Sequence, residues 1–452
     1  MKYITEPKKK LPVYGSYDVV VCGGGPAGIA SALSAARNGA KTLLIEQTGC
    51  LGGMSTAGLG PNFAPFTRAE KPLALGIAME VLNKLKAIDG VGASSKTGTS
   101  WIAVDSEKIK LLYDRLMEKA GVKVLFFTGV FGVLKKNRKI TAAIIENKSG
   151  RQAVLGKNFI DATGDADLAA KAGVPFEKGG SKGVLQPVTL CFSAAGIDSE
   201  KFKALRNVTF KGSNTKMTEK TLEPFLGKSL PDMKFGEYRY IVNKDMGNGV
   251  WGFNFGHVYN IDGTNADDLS FGIAYGRKIA DNFISHARKH ISAFKNAQLV
   301  QTAQLLGVRE TRRIKGIYKY TIDDYKSLRK FHDTIAVYDY PVDVHGSSKS
   351  KKTFKRHMKQ FTTDFIVPYG KYYSIPFRVL IPKKIENLLV PGRSLSADRL
   401  TQGALRVMPL CFAFGEAAGL AAAMSCKSGK IIKDTDISLL RAKLKKQGAK
   451  ID

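Results

Sequence analysis

Two hydrophobic periodicities alternate at the start of this chain. Val19-Val20-Val21-Cys22 is continuously apolar, as expected of a buried strand, and the alanine-rich stretch between Gly28 and Gly39 reads as a helix. A second strand, Lys41 to Ile45, follows Gly39. Strand, helix and strand in that order predict a βαβ unit with parallel strands. Further on, Lys157 to Asp165 reads as a strand ending in a turn of small residues, and Val188 to Ser193 as another strand. The aromatic segment Tyr238 to Tyr259 suits a sheet, and Ala266 to about Leu306 a long helix ending at Gly307. Leu388 to Gly392 ends a further strand, a helix runs from Val407 to Met424, and Ile437 to Gly448 forms a short amphipathic helix.

The first strand runs into Gly23-Gly24-Gly25-Pro26-Ala27-Gly28, a G-x-G-x-x-G that opens the helix. Gly23 permits the tight turn, Gly25 lets backbone approach a pyrophosphate, and Gly28 lets helix pack on strand. Free N–H groups and the positive dipole end at a helix N-terminus favour phosphate. The second strand ends in Glu46, placed to accept hydrogen bonds from a ribose 2′-hydroxyl and to repel a 2′-phosphate, which disfavours NADP. A second G-x-G-x-x-G, Gly247 to Gly252, is followed by no helical period and reads as a glycine-rich turn between strands.

Gly49 to Gly58 is too glycine-rich for a helix, suits close approach to a flat or charged ligand, and has no use in an NAD domain. At this point the chain resembles the FAD-dependent oxidoreductases of the glutathione-reductase-like superfamily. The motifs carrying the likeness are Glu46 to Gly58, Ile160 to Asp165, Gly307 to Arg313 and Arg406 to Ala422, the last containing Gly415-Glu416-Ala417-Ala418-Gly419. The resemblance implies an α/β fold, a Rossmann-like FAD-binding domain with an inserted α+β substrate or cap domain. The FAD domain would be discontinuous, 15–190 and 380–452, with 191–379 inserted and 1–14 a basic leading segment.

Carried over by residue, the resemblance implies that Gly23, Gly25, Pro26, Ala27 and Gly28 hold the pyrophosphate and Glu46 the adenosine ribose. It puts Gly52, Gly53, Met54 and Ser55 near the isoalloxazine, Val130 beside the adenine, and Ala162, Thr163 and Gly164 along the pocket. Gly392, Arg393, Arg406, Val407 and Met408 would approach the ribityl chain and flavin ring. Where many relatives have an Asp for the ribityl hydroxyls, this chain has Arg393.

A chain of 452 residues with 44% apolar content predicts two or three domains. No apolar run approaches the ~18 to 20 residues of a membrane helix, and no apolar leader precedes the first strand, so a cytoplasmic protein is expected. Five cysteines with no C-x-x-C pair fit a reducing compartment and argue against a disulfide framework, a zinc site or a redox-active disulfide. The sequence singles out no metal ligands. Cys50 lies in the loop expected beside the flavin, where a thiolate could attach to the ring or attack a flavin adduct, although a buried cysteine is ordinarily inert. Lysine and arginine number 70 against 39 acids, a net charge of +31 that attracts anions. The densest patch, Lys349 to Lys359, and the smaller Lys8 to Lys10 lack any nucleic-acid-binding motif and read as solvated faces.

Flavin chemistry needs groups that orient a substrate carbon and move its proton. His257 and His345 are the candidates for the proton, while His286, His290, His332 and His357 sit among charges and read as exposed. Arg309, Arg312 and Arg313 either bind an anionic substrate or pair with acids between domains. The expected activity is hydride exchange between FAD and a small organic substrate bound between the two domains, with an electron partner that the sequence does not name. Association of like chains stays open. Two other classes compete, a flavin-bearing RNA-modifying protein and a hydratase or isomerase with structural FAD.

Overall fold

The computed structural model describes residues 4, 5, 7, 9–92, 95–207, 241–348 and 350–452. Lys8, Tyr238 to Tyr240 and Lys349, which belong to segments singled out above, lie outside the described residues.

The βαβ unit forms as its periodicities require. Val13–Cys22 pairs in parallel with Thr42–Ile45, and Pro26–Arg37 is the helix between them. These strands belong to a seven-stranded sheet. Lys123–Leu125 lies beyond the second strand, and Gly150–Asp161 pairs in parallel along the whole of the first. The far edge of Gly150–Asp161 is shared. Its beginning takes the antiparallel Lys139–Asn147, which continues to Gly129–Lys136, while Phe159 and Ile160 near its end take Leu388 and Leu389. The parallel strands therefore end together, beside the glycine loop that follows Cys22, where open α/β sheets bind ligands.

A second, four-stranded antiparallel sheet is built from Ile241–Gly247, Val250–Phe255, Phe192–Ala195 and Gln298–Thr302. The helix Ala266–His290 packs on it, and Phe192, Trp251, Phe253, Phe255, Phe283 and Phe294 form its core. Gly247 to Gly252 contains the turn between two of these strands, as its lack of helical period predicts.

Three expectations change. The long helix ends at His290 rather than near Leu306, because the chain turns extended at Ile291 and Gln298–Thr302 pairs with Phe192–Ala195. Val188 and Thr189 make only isolated bridges, to Val258 and Gly307, so the strand proper begins at Phe192. Met408–Ser428 is also long and apolar enough to cross a membrane, although 83% of its most apolar stretch is buried inside the fold. Its many alanines and glycines kept it from standing out as an apolar run. Among the described residues, the two largest clusters of buried side chains are one around 188–306 and a larger one that contains Tyr320, Tyr338, Tyr373 and Val379 along with the helices Pro26–Arg37 and Met408–Ser428; a third, with Val20, Leu43, Ile145, Phe159 and Leu388, lines the parallel sheet, and a small fourth joins Ala142, Ile144 and Ala153.

Candidate functional site

The glycine loop has the conformation its sequence demands. Gly23 has φ +99°, and a Cβ there would lie 2.5 Å from the Ala162 carbonyl oxygen. A Cβ on Gly28 would lie 1.8 Å from the Gly23 carbonyl oxygen, so the helix can start here only as glycine. Gly25, in contrast, faces open space, with nothing within 4 Å of a Cβ built on it. It is also the N-cap of Pro26–Arg37 and brings no side-chain cap, which leaves the helix end as a backbone cradle for an anion.

Around this cradle the other motifs converge. Glu46, buried, accepts from Gly24 N–H at 2.6 Å and from the Thr48 N–H and hydroxyl at 2.8 Å each. Three accepted bonds leave a carboxylate room for about one more donor, enough for a ribose hydroxyl. Gly52 N–H donates to the Gly24 carbonyl at 2.8 Å, and Gly53 lies against Gly25, so the Gly49 to Gly58 segment folds directly over the loop. Ser55 is buried and closes that turn by donating to the Gly52 carbonyl, while Met54 reaches across to the core of the four-stranded sheet. Cys50 is half-buried in the same segment. Thr128 N–H donates to the Glu46 carbonyl, which brings the strand carrying Val130 close to Glu46.

Opposite stand Ala162, Thr163 and Gly164. Asp161, buried beneath them, has its carboxyl pushed up to about 6 by burial, against hydrogen bonds from Ala169 and Thr163. Gly392 lies against Ala27, and Arg393 crosses to Asp165, with Nη2 to Oδ1 at 2.9 Å over Gly164. The arginine that replaces the expected ribityl-binding acid is thus paired with the aspartate of the Ile160 to Asp165 motif. Arg406, Val407 and Met408 lie at the start of Met408–Ser428, which packs on Pro26–Arg37 through Gly415 and Gly419. A Cβ on either would fall 2.1 or 2.2 Å from the carbonyl oxygen of Ala27 or Ser31, respectively.

Between the two cores, a polar cluster collects. His257 Nε2 and His345 Nδ1 are 3.1 Å apart, so the two histidines considered separately in the sequence form one pair bridging the four-stranded sheet and the larger core. Asp343 Oδ1 lies 3.2 Å from His345 Nε2 and 2.9 Å from His357 Nε2, and Arg406 Nη2 donates to Asp343 Oδ2 at 3.1 Å. Burial opposes the Asp343 carboxylate, yet His345 and Arg406 hold it well below the ordinary range. Burial and the nearby Arg309 guanidinium hold His345 well below its ordinary value. Arg309 donates to the Pro187 carbonyl and to Thr189, and Gln402 donates to the Arg309 and Arg393 carbonyls.

Arg309, His257 and His345 are therefore brought together, and Arg312 is not. It donates to the Asp165 carbonyl and pairs with Asp167 at 2.8 Å, while Arg313 donates to the Gly179 carbonyl and lies 3.6 Å from Glu310. Two expectations of exposure are corrected: His357 is 4% exposed and His286 6%. The basic helix Lys351–Lys359 turns His357 inward to Asp343, and His286 faces the core beneath Ala266–His290. His290 and His332 are exposed as expected. Sequence reading also missed Asp343, Gln186 and Gln402. For Asp343 a signal existed, since Asp343-Val344-His345 places acid and imidazole on one side of an extended segment.

Comparison with known proteins follows the same geometry. Over 166 residues the chain is 33% identical to thiamine thiazole synthase of Methanococcus vannielii, covering 34% of this chain and 58% of that protein. It is 32% identical over 158 residues to digeranylgeranylglycerophospholipid reductase of Thermoplasma volcanium, covering 33% and 39%. The chain thus matches less than two thirds of the length of either relative. Among solved structures, a geranylgeranyl bacteriochlorophyll reductase-like protein of Thermoplasma acidophilum aligns at 16% identity and TM-score 0.46, over 96% of this chain and 84% of that one. p-Nitrophenol 4-monooxygenase of Pseudomonas putida aligns at 11% identity and TM-score 0.49, over 96% and 87%. The model of the FAD dependent oxidoreductase family matches residues 18–444, from the first strand through both cores to the last helix. With the cradle at Gly25, the acid at Glu46 and a family match spanning both cores, the chain belongs to the FAD-dependent oxidoreductases.

Proposed function

We propose that this enzyme exchanges a hydride between FAD and a small, oxygen-rich, anionic organic substrate held where the two cores meet. FAD, when bound, supplies a hydride-accepting and hydride-donating N5. The residues that would hold it are those around the cradle: Gly23 to Gly28 and Glu46 on the nucleotide side, then Gly52 to Ser55, Ala162 to Gly164, Gly392, Arg393 and Arg406 to Met408 toward the ring. In this reading the four-stranded sheet is the cap, and it excludes water from the junction.

The observation that carries the substrate class is an excess of buried donors. Among the described residues of this network, Gln186 Nε2, Arg393 Nε and Arg406 Nε are buried donors without a hydrogen-bond acceptor, against Gln402 Oε1 as a buried side-chain oxygen without a donor. Gln186 belongs to that network through its Oε1, which accepts from His345 N–H at 2.9 Å. A buried donor left unmade costs about 1–3 kcal/mol, so a ligand rich in carboxylate or hydroxyl oxygens recovers free energy here. Arg309 adds positive potential beside His345, and the net charge of +31 adds a long-range attraction for anions. Bound this way, a substrate is oriented by neutral amide and guanidinium donors rather than by shape alone.

Anaerobic titration tests this reading. Small hydroxy acids should bleach the flavin absorbance, or unsaturated carboxylates should reoxidise the photoreduced flavin. Gln186→Leu should raise the half-saturating concentration roughly 10-fold, the equivalent of one lost buried hydrogen bond. Uncharged alcohols acting as well as acids, or an unchanged Gln186→Leu titration, would overturn it.

A further inference from the structure

Asp343, His345 and His357 are reached from two places in the chain, an extended segment and the helix Lys351–Lys359, yet one donor atom of each lies within 4.8 Å of the other two. The Asp343 Oδ1 to His345 Nε2 and His357 Nε2 distances are 3.2 and 2.9 Å. Ligands at adjacent corners of a coordination shell, each ~2.1 Å from the ion, stand about 3 Å from one another.

The surroundings fix each donor. Arg406 takes Asp343 Oδ2 and so turns Oδ1 toward the imidazoles. His257 Nε2 sits 3.1 Å from His345 Nδ1, the far nitrogen of the ring, which orients Nε2 to the cluster as outer-shell partners of metal-binding histidines do. The His345 backbone is held in turn by Gln186.

We propose that Asp343, His345 and His357 bind one divalent transition-metal ion through two imidazole nitrogens and one carboxylate oxygen. Such a donor set suits Zn²⁺ or Fe²⁺, and three protein ligands leave positions open for water or a substrate oxygen. The site stands on its own geometry and does not depend on which substrate the enzyme takes. It also makes a prediction about one proton. With the ion bound, the His345 proton sits on Nδ1 and is donated to His257; without an ion it sits on Nε2 and is donated to Asp343.

Untagged holoenzyme is equilibrated with Zn²⁺, dialysed against metal-free buffer and analysed for zinc and FAD. One zinc per chain is expected. His357→Ala and Asp343→Asn should each weaken binding at least 10-fold, whereas His290→Ala, at a separate histidine pair on the helix Ala266–His290, should leave it unchanged. Retained FAD and an unchanged far-ultraviolet dichroism spectrum show that a variant is folded. Substoichiometric zinc in the parent, or full retention by folded His357→Ala, would overturn the site. Should a variant lose its fold, the ¹⁵N spectrum of the parent decides. A His345 proton on Nδ1 with Zn²⁺ present supports the site, and one that stays on Nε2 refutes it.

Discussion

The contact between the helices Pro26–Arg37 and Met408–Ser428 and the core of the four-stranded sheet are built on opposite principles. In the helix pair, Gly415 and Gly419 bring backbone against the Ala27 and Ser31 carbonyls, with no side chain between. In the sheet core, Phe192 stacks on Phe253 with ring centroids 5.0 Å apart, and Phe255, Phe283 and Phe294 close around them. The first region tolerates no added atom and the second no missing one. Backbone proximity holds the glycine-loop cradle in shape, while aromatic volume gives the four-stranded sheet a core of its own.

Removing volume from the sheet core should have the largest effect. Phe253→Ala should cost about 3–5 kcal/mol in denaturant unfolding of the four-stranded sheet and its helix, yet leave bound FAD per folded chain nearly unchanged. Equal loss of flavin would show that the two cores unfold as one.

Next is Glu416, buried in the helix pair, where its carboxylate accepts from Ile77 N–H at 3.0 Å. Burial pushes its carboxyl up to about 7 from the ordinary 4.5. A raised acid pKa means that the folded state holds the proton more tightly, so stability is greatest at low pH and falls as pH rises from about 4.5 to about 7. The gap corresponds to at most about 3 kcal/mol. Glu416→Gln keeps an acceptor for Ile77 and should flatten that part of the stability profile, measured by urea unfolding between pH 5 and 8. An unaltered slope would assign the pH dependence elsewhere, with Asp161 the first alternative.

Adding a single methyl sharpens the contrast with the sheet core. Gly415→Ala should cost about 2 kcal/mol and, unlike Phe253→Ala, lower the flavin-to-protein absorbance ratio, because Ala27 is pushed out of the cradle. The smallest change expected is at the start of the helix on the four-stranded sheet. Asn265 accepts from Asp268 N–H at the start of Ala266–His290, and Asn265→Ala should cost about 1 kcal/mol in thermal unfolding, with flavin content unchanged.

The cradle was legible because its requirements are local. Gly23, Gly25 and Gly28 are needed within one turn of chain, and Glu46 lies one strand away. The end of the long helix was not. Residues 291–302 keep enough apolar spacing to pass as helix, and only pairing with Phe192–Ala195 selects the strand. The burial of His357 is hidden from the sequence for a related reason: a basic run reads as solvated throughout, although one face of its helix turns inward.

By itself, then, the sequence determined the βαβ unit, the anion cradle, the acid beside it and the cofactor family, since each depends on residues close together in the chain. Tertiary structure alone decided that His257 meets His345, that Arg393 pairs with Asp165, and that Arg312 pairs with Asp167. The physical reason is that side chains 88 or 228 residues apart meet only after strand order and helix packing have fixed their backbones. No local propensity records that encounter.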